Sequence, residues 1–73
     1  MPKLPSSKAI VSVLLKEGFV FVSQKGSHAK YRNSMGGRMM TVIVPMGQKE
    51  IPWGTVRSII HQSGLPRERF VLQ

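Results

Sequence analysis

The chain predicts an α+β domain in the order α-β-β-β-α, a three-stranded antiparallel sheet with both helices on one face. Three observations lead there: apolar residues at helical spacing near each end, three short β-branched or aromatic runs between them, and glycine turns short enough to join antiparallel neighbours. With 73 residues and no cysteine, it is expected to be one small domain over residues 1–73, braced by no disulfide.

Pro5-Ser6-Ser7 starts the first helix, and either serine can accept a hydrogen bond from an unpaired first-turn N–H. Ile10, Val13 and Leu14 form its apolar stripe, while Lys8, Ser12 and Lys16 fall four apart on another face. Gly18 supplies the left-handed cap, so the helix is placed over residues 7–17. Residues 19–24 are aromatic and β-branched, which predicts a strand, and Lys25-Gly26-Ser27 turns into a second strand over residues 28–33. Alternation there points His28, Lys30 and Arg32 to one face and Ala29 and Tyr31 to the other.

Met35-Gly36-Gly37 makes the next hairpin loop, and residues 39–44 form a third, more buried strand that Pro45 ends. Residues 46–53 are expected to be a loop. Gly54-Thr55 then opens the second helix, with Thr55 as its N-cap, Val56, Ile59 and Ile60 as its buried stripe and Gly64 as its C-cap glycine. Pro66 begins one further turn through Phe70. Helices on one face of the sheet leave the other face open to a ligand.

Eleven Lys and Arg against three Glu give a net charge of +8, which favours a polyanion: nucleic acid, an anionic membrane surface or an acidic protein. Residues 18–49 contain no acid and carry Lys25, Lys30, Arg32, Arg38 and Lys49. The apolar run over residues 9–15 is interrupted by Ser12 and stops at Lys16-Glu17, well short of the ~20 residues that span a bilayer. No membrane partner is expected, and the chain reads as cytoplasmic.

Several chemistries are excluded by composition. Asp and Cys are both absent, so neither an Asp-assisted Ser-His triad nor a Cys nucleophile can be assembled. Two histidines 33 positions apart and three Glu make a poor metal site, and no phosphate loop or dinucleotide fingerprint occurs, so no metal or cofactor is expected. His28 remains, just after a tight turn on the cationic face. An imidazole moves protons near neutral pH, neighbouring cations stabilise charge on a phosphate, and RNA brings its own nucleophile in the 2′-OH. The ordinary reading of the same residue is a phosphate contact or a plain surface histidine. His61 suits the C-terminal dipole of the second helix, Trp53 anchors a loop over the core rather than stacking on a base, Tyr31 is core, and the five Met fill gaps.

Gly18-Phe19, Gln24-Lys25-Gly26-Ser27-His28, the run Thr41-Val42-Ile43-Val44-Pro45, and Lys49-Glu50-Ile51-Pro52-Trp53-Gly54-Thr55-Val56-Arg57-Ser58-Ile59-Ile60 followed by Gln62-Ser63-Gly64-Leu65 resemble the HicA (YcfA-like) toxins across residues 6–70. The resemblance implies a double-stranded-RNA-binding-domain-like fold and an mRNA interferase that cleaves messenger RNA and arrests growth. It implies that His28 is catalytic and that a HicB-type antitoxin covers the active face. Many members carry a second histidine soon after the Val-Pro that ends the third strand, where this chain has Met46-Gly47-Gln48. The expected protein is thus a metal-independent endoribonuclease. His28 would act as general base on the 2′-OH or general acid toward the leaving oxygen, and Lys25, Lys30, Arg32 and Arg38 would hold the RNA backbone with help from Gly26 and Ser27. The alternatives are a non-catalytic RNA-binding module of the same fold, or a protein whose basic face meets only an acidic partner.

Overall fold

In the computed structural model, which describes residues 3–70, the elements are α1 (Ser7–Lys16), β1 (Val20–Lys25), β2 (His28–Met35), β3 (Arg38–Pro45), α2 (Trp53–Ser63) and a 3-10 turn at Arg67–Arg69. Residues 1, 2 and 71–73 of the expected domain lie outside the described residues. Ser6 is the N-cap of α1, its hydroxyl accepting from Ala9 N–H at 3.0 Å. The helix stops at Lys16, one residue before the predicted end, because Glu17 (ψ 5°) already leaves helical geometry as its cap.

The strands lie in the order β1-β2-β3, antiparallel throughout. Lys25 pairs with His28 across Gly26-Ser27, and Met35 pairs with Arg38 across Gly36-Gly37. Both turns therefore use two residues, and Met35, expected in a loop, is the last paired residue of β2. Ala29 opposes Val44 and Tyr31 opposes Val42, so all four share one face. On that face they meet Ile10 and Leu14 of α1 and Val56 and Ile59 of α2, with Phe19 and Ile51 closing the core. Both helices thus cover one side, as the alternation in β2 predicts, and Lys30 and Arg32 lie on the other.

The two sheet edges differ. At β3, the Ile43 N–H points away from β2 and donates to Gln62 Oε1 of α2 at 3.0 Å, so the helix satisfies part of the ladder. At β1, no residue is buried, and the register slips between Phe21, opposite Tyr31, and Ser23, opposite Lys30. Val22 is the extra residue of a β-bulge. Phe19, predicted to start this strand, precedes it and is buried in the core.

Two expectations about α2 are corrected. Thr55 is not the N-cap: the helix begins at Trp53, Pro52 is its cap, and no side chain caps it. Ile51 is fully buried and donates its N–H to Pro5 O at 2.8 Å, which fixes the chain just before the helix. From there the Pro52 carbonyl accepts both Thr55 and Val56 N–H at 3.0 Å, placing the cap three residues earlier than the hydroxyl suggested. Trp53 is accordingly helical and does not cover the core. It is 42% exposed, with the Arg67 guanidinium 5.2 Å from its ring centroid. Met35, Met40 and Met46 do pack against the core, whereas Met39 is exposed. Gly64 ends α2 at φ 69°, the left-handed geometry predicted for it. No helix among the described residues is long and apolar enough to cross a membrane.

Candidate active site

His28 occupies the first position of β2 because Gly26, at φ 59°, lets the chain reverse in two residues. Its side chain is exposed and makes no hydrogen bond among the described residues. Across β3 it pairs with Pro45, and Met46 N–H donates to Ser27 O at 2.6 Å, tying the turn to the loop after β3. These links place His28 at the lip of a groove of about 640 Å³ where α2 lies against the β3 edge. Gln48, Thr55, Ser58 and Gln62 line the groove beside it.

The groove wall is held from behind by Ser7, which is 2% exposed. Its hydroxyl donates to Pro45 O at 2.6 Å and accepts from Gln48 N–H at 3.0 Å, while Ser7 N–H donates to Gln48 O at 2.9 Å. One buried side chain thus fixes both ends of the segment that faces His28. Ser7→Ala is expected to cost about 1–3 kcal/mol, because it leaves a shielded carbonyl and a shielded N–H without partners. Urea unfolding measures the loss, and faster hydrogen exchange at the Gln48 amide would locate it. An unchanged midpoint would show that the clamp carries no load.

The expected contact residues divide by position. Lys25, Gly26 and Ser27 adjoin His28 in the turn, and Lys30 follows two residues along the same strand face, opposite Ile43, which itself lines the groove. Arg32 lies farther along and its Nε donates to Thr41 Oγ1 at 3.3 Å. Arg38 sits at the opposite end of the hairpin, opposite Met35, seven residues and roughly 23 Å of strand from His28. The structure therefore gathers Lys25, Gly26, Ser27, His28 and Lys30, and separates Arg38 from them.

Thr55, Ser58 and Gln62 were absent from the sequence-based site. Their spacing of three and four marks one polar face of α2 beside the Val56 and Ile59 stripe, a readable signal. What the spacing could not give is the partner of that face. Among the described residues, no three His, Cys, Asp or Glu come together as a metal site, and the sole ion pair is Arg69 to Glu17, 2.7 Å apart and holding the C-terminal turn against the end of α1. The lysines around His28 therefore carry unneutralised charge.

The candidate site is thus one exposed imidazole near Lys25 and Lys30, beside hydroxyls and amides of α2, on a small basic α-β-β-β-α domain. The family described as "HicA toxin of bacterial toxin-antitoxin" matches residues 7–65, and the chain belongs to it. Its partner is accordingly an antitoxin. No curated protein matches the chain.

Proposed function

We propose that the chain, as a single domain over residues 1–73, is a metal-independent endoribonuclease that cleaves messenger RNA and is neutralised by a HicB-type antitoxin. The observation that carries this reading is the placement of His28, exposed and unengaged at the lip of a groove whose other polar side chains, Gln48, Thr55, Ser58 and Gln62, are amides and hydroxyls that do not exchange protons near neutral pH. A ribose 2′-OH becomes a nucleophile when its proton is removed, and His28 is the group in the groove able to take it. The 2′ oxygen then bonds to the adjacent phosphorus as the bond from phosphorus to O5′ breaks. Solvent returns a proton to the departing O5′. The products are a 2′,3′-cyclic phosphate and a 5′-hydroxyl, and charge growing on the phosphate is met by Lys25 and Lys30, with donors from Thr55, Ser58 and Gln62. Gln48 stands near where many relatives carry a second histidine. It offers a hydrogen bond there but no proton relay.

The test uses one RNA in native and 2′-O-methyl forms. Native RNA should be cut in EDTA as fast as without it, giving cyclic-phosphate and 5′-hydroxyl ends, and the methylated strand should stay intact. Cleavage of the methylated strand, or 5′-phosphate ends, would refute the mechanism. Salt-sensitive binding with no product would replace it with the binding-module reading.

A further inference from the structure

The His28 groove continues over the exposed surface of α2. A shallow depression lined by Gly54, Arg57, Ser58, His61 and Gln62 shares Gly54, Ser58 and Gln62 with that groove. A second depression, lined by Trp53, Arg57, Ile60, His61, Leu65 and Arg67, shares Arg57 and His61 with the first. The three form one track. Its order follows from the helix: Trp53, Arg57 and His61 are four apart on one ridge, and Gly54, Ser58 and Gln62 are four apart on the next ridge toward His28. Crossing from the outer ridge to the groove spans about one helix diameter, roughly 10 Å.

We infer that this track is a second contact site for the RNA strand, holding nucleotides that flank the one cut at His28; the inference rests on RNA being the substrate of the His28 groove. Among the described residues, neither Arg57 nor Arg67 is paired with a carboxylate, so both guanidinium groups are open to phosphate. Arg67 lies over the Trp53 ring and holds the indole in place, yet 42% of Trp53 stays exposed. An aromatic surface with adjacent cations suits a base and its phosphate, and it accepts any base because every base has a π-face. A protein interface of this size would place apolar area at its centre and charge at its rim. Here Arg57 is central, shared by both depressions, and the apolar Ile60 and Leu65 are largely spent on the core. The track also supplies cations on the groove's helical side, which Arg38 is too distant to do.

The test measures binding in the His28→Ala background, using a mixed-sequence single-stranded RNA oligonucleotide labelled with fluorescein. Adding Trp53→Ala or Arg57→Glu should weaken binding about tenfold each, and Arg57→Glu should make the salt dependence shallower by about 0.7 in log–log slope. Lys16→Glu, the same charge change on exposed α1, should weaken binding far less. Circular dichroism melting checks that each variant is folded, and Arg67→Ser provides a second variant that leaves α2 untouched. Parental affinity in Trp53→Ala and Arg57→Glu would overturn the track, as would an equal loss in Lys16→Glu, which would mean net charge alone. Parental RNA affinity with loss of antitoxin binding would reassign the surface to the protein partner and overturn it too. Failure of the endoribonuclease reading has a different signature: wild-type protein that leaves RNA uncut while the track variants still lower affinity, a result that would keep the track as an RNA contact and remove its role of flanking a cut nucleotide.

Discussion

His28→Ala is expected to lower RNA cleavage by about 10²–10⁴-fold, the range that a positioned proton-transfer group contributes, and to abolish growth arrest on expression. The change should be clean, because His28 is exposed and none of the hydrogen bonds among the described residues uses its side chain. The Gly26-Ser27 turn is closed by backbone pairing of Lys25 with His28, which an alanine retains. Melting temperature should therefore stay close to wild type, and RNA affinity should fall only slightly because Lys25, Lys30 and the α2 donors remain. His28→Gln, which keeps a hydrogen-bonding side chain but cannot relay a proton, should be as inactive as alanine. Undiminished cleavage in either variant would remove His28 from the chemistry.

The second large effect is structural. Leu14 is fully buried where α1 meets Phe19 and the sheet. Leu14→Ala should cost about 2–5 kcal/mol through lost transfer energy and the cavity left behind. A domain of this length holds roughly 4–11 kcal/mol in total, so the variant would lose a large share of its stability. Its neighbour Leu15 is exposed, and Leu15→Ala should stay within about 0.5 kcal/mol. Urea midpoints for the pair measure the contrast, and equal midpoints would contradict the packing. The antitoxin should rescue Leu14→Ala in part, since binding the folded state at one hundred times Kd adds about 2.7 kcal/mol.

Much of the fold is legible because local chemistry and tertiary structure agree. Ser6 caps where a serine was expected, Gly64 takes the left-handed conformation expected of it, and alternation in β2 separates Ala29 and Tyr31 from Lys30 and Arg32. Thr55 misleads because a hydroxyl is only one way to start a helix. Burial of Ile51 and the two bonds to the Pro52 carbonyl start it earlier, and those depend on Pro5, far away in sequence. The candidate site is legible by face and less so by position. Alternation marks Lys30, Arg32 and other cations as belonging to a basic surface, but it cannot say that Arg38 lies at the far foot of the second hairpin. The α2 wall was hidden for another reason: Thr55, Ser58 and Gln62 acquire meaning only when the helix docks on the β3 edge, an event recorded in the Gln62 bond to Ile43.

The extra residue at Val22 separates two jobs that share one short strand. Before it, Phe21 meets Tyr31 ring edge to face at a centroid distance of 5.7 Å, a contact that belongs to the packing of the domain. After it, Ser23 to Lys25 lead into the turn that presents His28. A regular ladder would transmit any one-residue slip from one end to the other and flip the turn to the wrong face. With a spare residue between them, each end keeps its own alignment. The same kink interrupts the uncovered edge of β1 along which a further strand would pair, so the residue that insulates the histidine turn also breaks the regular row of unpaired N–H and C=O groups on that side of the sheet.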